Sequence, residues 1–66
     1  MRYHGTVTEF DAIVGLGRID ASDGGTYPFH CIEIADGTRV IEVGAGVTFE
    51  LIAKLGRFEA ARITAG

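Results

Sequence analysis

Four cations and three rings are the residues of this chain best suited to hold a ligand. Arg18, Arg39, Lys54 and Arg57 offer charge, while Phe10, His30 and Phe58 offer flat surfaces. A guanidinium plane can stack on a base or pair with a phosphate, and an aromatic ring can stack on any base. Groups of this kind can meet the phosphates and bases of a nucleic acid, provided that the fold brings them to one face.

The charge balance limits how strong that attraction can be. Six Lys and Arg stand against nine Asp and Glu, a net charge of −3. Phosphates are bound through counterion release by cations, so a global pull on nucleic acid is excluded while a local basic patch is not. Two roles stay open for Arg18. It is either a solvent-facing residue balanced by Glu9 or Asp11, or a contact to nucleic acid.

Other chemistry has less to work with. Glu9 and Asp11 lie two apart on one strand and can converge as an acid–base pair, but a solvated strand face accounts for them more simply. His4, His30 and Cys31 lack any paired spacing such as C-x₂-C, so no metal site is expected. Neighbouring side chains in a strand point to opposite faces, which argues against a His30–Cys31 dyad. Gly15 and Gly17 precede no helix and lack a third glycine, so turn and strand geometry explains them better than a phosphate cradle does. Neither an enzyme nor a cofactor is expected.

Positioning such residues falls to a small scaffold. Sixty-six residues allow one domain, 1–66, with a core that buries roughly 60% of the unfolded surface. Cys31 is the only cysteine, so no intrachain disulfide can help, and a reducing compartment fits. No apolar run approaches the roughly 20 residues needed to span a bilayer. Glu9 and Asp11 interrupt any signal-peptide stretch, so the chain is expected to be complete, soluble and cytoplasmic.

Ten glycines and one proline punctuate the chain. Between them lie short alternating segments expected as strands: Tyr3 to Phe10, Leu16 to Asp20, Thr26 to Ile32, a run after Gly46 carrying Val47, Phe49 and Leu51, and Phe58 to Thr64. Asp23-Gly24-Gly25 is a strong turn signal, and Asp36 to Val43 reads as a loop. A helix through Phe49 to Ala61 is disfavoured by Gly56 and by the lack of a cap. Five short strands suggest an all-β, antiparallel barrel, and pattern alone leaves the OB-fold and an SH3-like barrel both open.

The motifs decide between these barrels. The chain resembles the cold-shock domain, a five-stranded OB-fold that binds single-stranded RNA and DNA, from roughly Gly5 to Thr64. The family's Gly-Lys-Val-Lys-Trp-Phe-Asn is similar to Gly5-Thr6-Val7-Thr8-Glu9-Phe10-Asp11, and its Lys-Gly-Phe-Gly-Phe-Ile to Val14-Gly15-Leu16-Gly17-Arg18-Ile19. Val-Phe-Val-His-Phe falls on Tyr27-Pro28-Phe29-His30-Cys31. The later Glu-Gly-Gln-x-Val-x-Phe-Glu resembles Val43 to Glu50, and Gln-Ala-Ala-Asn-Val resembles Glu59-Ala60-Ala61-Arg62-Ile63.

Sorted by face, the resemblance divides. It implies a barrel filled by Val7, Ile19, Tyr27, Phe29, Ile34, Val47, Phe49, Leu51 and Ile63, all still apolar. The implied ligand platform is rewritten, with Glu9 for the tryptophan and Leu16, Arg18, Pro28 and Cys31 for four phenylalanines. Thr8 and Val14 replace two lysines, and only Phe10 and His30 keep the family's type. Each lost stack forfeits about 1–3 kcal/mol, so three cost at least a hundredfold in affinity. Arg39, Lys54 and Arg57 are expected on rims that OB-folds use for ligands, with Phe58 or His30 as a stacking surface beside them. With Phe10 and Arg18 they make weak, salt-sensitive binding of single-stranded RNA or DNA the function that the resemblance implies. An alternative is a protein-interaction or self-associating module, with a protein partner or homodimer formed through Val14, Leu16 and Pro28 or through open strand edges.

Overall fold

Five strands follow the glycine punctuation in the computed structural model, which describes residues 2–65. They are β1 (Tyr3–Asp11), β2 (Leu16–Ala21), β3 (Thr26–His30), β4 (Gly46–Lys54) and β5 (Arg57–Ala65), with a 3₁₀ turn at Cys31–Glu33. All paired neighbours are antiparallel, in the order β3-β2-β1-β4-β5. The sheet coils until β3 packs against β5. A parallel bridge joins Ile34 to Ile63, and the Ala35 amide donates to the Ile63 carbonyl at 2.8 Å. The result is the all-β, five-stranded OB-type barrel, with a β-hairpin rather than a helix over Phe49 to Ala61.

Alternation along the strands fills the barrel. Val7, Ile19, Phe29, Ile34, Val47, Phe49 and Ile63 are buried, as expected, and Ala21, Ala60 and Ala61 are buried with them. Tyr27 and Leu51 are half-buried and pack on this cluster from its edge. Gly17 is required by the packing. A Cβ there would collide with the Phe29 ring and lie 2.7 Å from the Glu9 carbonyl oxygen. The vacant space lets Phe10, which faces Gly17 across the ladder, stack on Phe29 with ring centres 6.0 Å apart and planes 4° from parallel.

Two bulges decide which residues look outward. Val7 pairs with Ile19 but Glu9 pairs with Arg18, so Thr8 is an extra residue on β1. Beyond that bulge the alternation restarts, turning Phe10 inward and Glu9 and Asp11 outward. On β5 one extra residue falls between Ala61 and Thr64, where Arg62 takes a positive φ of 50°.

Strand β3 is shorter than its composition suggests. It stops at His30 rather than Ile32, because the Cys31 amide donates back to the Gly15 carbonyl at 2.8 Å and the chain then tightens into the 3₁₀ turn. Cys31 is therefore a turn residue and not a strand neighbour of His30. Pro28 sits in this edge strand and removes one donor from it, which blunts pairing with another chain.

The β4–β5 hairpin carries a local cost. Leu55 and Gly56 both adopt positive φ, 47° and 84°, the two-residue geometry that favours Asn-Gly. Leucine adopts it poorly, and this one is fully exposed with no packing to offset the strain. Leu55→Asn is expected to raise stability by about 0.5–1 kcal/mol. A urea melt showing no gain would mean the turn carries no strain.

Candidate nucleic-acid interface

The outer wall of β1 and β2 is built by the first bulge. It brings Glu9 opposite Arg18 and Asp11 opposite Leu16, all four exposed. With Phe10, Val14 and Gly17 they line a shallow depression of about 380 Å³. Leu16, Gly17 and Arg18 also form one side of a second depression, of about 270 Å³, whose far side is Pro28, Phe29, His30, Arg57 and Glu59. That second cleft lies where β3 meets β5, so barrel closure creates it. Arg18 stands between the two.

Arg18 is the free cation of this wall. Among the described residues it forms no ion pair, although Glu9 is its cross-strand neighbour. Asp11 is occupied elsewhere, because its Oδ1 accepts from the Ile13 and Val14 amides at 3.0 and 3.2 Å and so shapes the β1–β2 turn. The same bonds give Asp11 a structural task in place of the acid–base one.

The other expected site residues divide. His30 is exposed and lines the second cleft with Arg18 and Arg57. Phe10 contributes to the first depression, but its ring is half-buried against Phe29 rather than displayed. Lys54 and Arg57 share a third depression, of about 500 Å³, with Leu55 and Glu59. Phe58 projects to the opposite side of β5 from Arg57 and Glu59, pairing with Ala53, and lines none of these depressions. Arg39 lies in the loop before β4, exposed, with φ of 62°, and also lines none of them.

That loop is anchored at its start. The Thr38 amide and hydroxyl both donate to Asp36 Oδ1, at 3.0 and 2.8 Å, and hold its carboxyl below the usual carboxylate value. A folded value below the unfolded one means the contribution is present at neutral pH and is lost as pH falls through the folded value. At the far end of β3, partial burial and the neighbouring Asp23 carboxylate, 3.4 Å away, push the Tyr27 phenol above its ordinary range.

Two features had no clear signal in sequence. Glu59 is buried, its Oε2 3.4 Å from Arg57 Nη2 and its Oε1 3.9 Å from Lys54 Nζ. Its place in an alternating strand beside Ala60 was the only hint. Arg2 donates to Thr48 Oγ1 at 3.0 Å and to the Arg62 carbonyl at 2.9 Å, and pairs with Glu50 at 3.3 Å. Arg62 pairs with the same Glu50 at 3.7 Å, so both cations are engaged on β4 and β5.

No family model and no curated protein matches this sequence. Solved structures do. The chain superposes on drosophila Unr CSD456 with a TM-score of 0.85 and 27% identity, over 100% of this chain and 27% of that one. The fold is that of a cold-shock domain. The chain spans about a quarter of the length of that neighbour. A cold-shock-domain fold supports a nucleic-acid-binding type of module, and in this one Leu16, Val14 and Pro28 lie on the wall beside Arg18. No helix among the described residues is long and apolar enough to cross a membrane.

Proposed function

We propose that this cold-shock-like domain binds single-stranded RNA or DNA weakly, across the wall shared by the two depressions. The observation that carries this is Arg18. It is unpaired, exposed, and flanked by His30 and Arg57 on one side and by the Phe10 depression on the other. Its guanidinium can stack on a splayed base or meet a phosphate, and His30 offers a second flat surface. Leu16, Val14 and Pro28 give apolar contact area without the strength of aromatic stacking. Glu9 beside them repels phosphates. No catalytic role or cofactor belongs to this function.

A titration with a labelled pyrimidine-rich oligonucleotide tests it, run at low and at high salt. Saturable binding is expected in low salt and should fade as salt rises. Arg18→Ala should weaken it about tenfold and flatten the salt dependence by roughly 0.7 in log–log slope, the share of one phosphate contact on a single strand. Absence of saturable binding at high protein concentration in low salt would remove the proposal.

A further inference from the structure

Glu59 is the one charged residue buried among the described residues, with 11% of its side chain exposed. A carboxylate is seldom buried unless it is paired. One carboxylate oxygen faces Lys54 and the other faces Arg57, and the group lies in the cleft that Arg18 and His30 also line. Two oxygens of one anion set between two cations are what the non-bridging oxygens of a phosphodiester would present there.

We propose that Glu59 is an intramolecular stand-in for a phosphate, occupying the Lys54–Arg57 pair and holding down the affinity of this face for nucleic acid. The proposal rests on the single-stranded nucleic-acid function above and refines it. Lys54 and Arg57 form a phosphodiester subsite, and Glu59 sets how readily that subsite can be filled. The geometry suits displacement. The carboxylate is fixed by burial, whereas the Lys54 and Arg57 side chains are 44% and 69% exposed and can swing to an incoming phosphate. Both pairs are long, but drawing the cations away leaves a buried carboxylate short of a partner, and that cost is what holds the affinity down. Neutralising Glu59 would leave both cations in water, with no buried charge deprived of a partner.

Glu59→Gln keeps the shape and removes the charge. Titrated with the labelled pyrimidine-rich oligonucleotide across a salt series, it is expected to bind about tenfold more tightly than the parent in low salt. Its salt dependence should be steeper by roughly 0.7 for each cation released, which a merely structural role would not produce. Arg57→Ala provides the cross-check, with circular dichroism verifying that each variant stays folded, because in the parent it leaves the buried Glu59 only Lys54 at 3.9 Å. It should weaken binding in both chains, and by a several-fold larger factor in the Glu59→Gln background, where no carboxylate competes for the cation; equal factors in the two chains would overturn the stand-in. A parent that binds, with Glu59→Gln showing the same affinity and slope, overturns this proposal alone. If neither chain binds, the proposed function falls with it. Binding by Glu59→Gln only would uphold the stand-in and overturn weak binding by the parent.

Discussion

Phe29→Ala is expected to lower stability by about 3–5 kcal/mol, the range for truncating a buried phenylalanine. At about 0.05–0.15 kcal/mol per residue, a chain of 66 residues holds about 3–10 kcal/mol in all. The substitution would therefore leave a large share of molecules unfolded at physiological temperature. Phe29 is 1% exposed and touches the structure from three directions. Its ring lies over the Gly17 backbone, stacks on Phe10, and belongs to the cluster of Val7, Ile19 and Ile63. Removing it also takes the floor from beneath Phe10, so both depressions beside Arg18 would lose shape. Urea melts monitored by circular dichroism measure the effect. A loss under about 1 kcal/mol would show that the barrel closes without this ring, and that the close approach at Gly17 does not support it.

That Phe29 lies inside was legible in the sequence, because alternation and the resemblance both put it in the barrel, whereas the need for a bare Gly17 beneath its ring was not. The fold was legible for the same reason. Val47, Phe49 and Leu51 alternate too regularly for anything but a half-buried strand, and Asp23-Gly24-Gly25 closes a hairpin with little ambiguity. What stayed hidden depends on contacts between distant segments. The Thr8 bulge inverts the facing of Phe10, and no local pattern announces an extra residue in a ladder. Cys31 leaves the strand because its amide is claimed by Gly15, sixteen residues earlier. Lys54 and Arg57 look like free rim cations until β5 is seen to bury Glu59 beside them. Arg2 looks like a solvated terminus, yet its partners lie on β4 and β5, which the chain reaches only at its other end. Apolar positions follow from period, whereas the pairing of charges follows from closure.

Restoring aromatic surface to the rewritten wall should produce the largest functional change. Glu9→Trp combined with Leu16→Phe is expected to raise affinity for a pyrimidine-rich oligonucleotide at least thirtyfold. Two added stacks at about 1–3 kcal/mol each give that figure at their lower bound, and loss of the Glu9 charge adds to it. Both positions are exposed and line the same depression, Glu9 opposite Arg18 and Leu16 opposite Asp11 two rungs along the ladder. Stability should change by no more than about 0.5 kcal/mol, since neither side chain supports the core. The chain contains no tryptophan, so the new indole would be the sole emitter of its kind and its quenching would report base stacking directly. Quenching with a gain in affinity would place the ligand on this wall. If affinity rose without quenching, the bound strand would have to run elsewhere, past Arg39 or the Lys54 hairpin. If neither changed while the fold stayed intact, the barrel would keep the cold-shock shape without its ligand surface, and the exposed Val14 and Leu16 would be left to a protein partner.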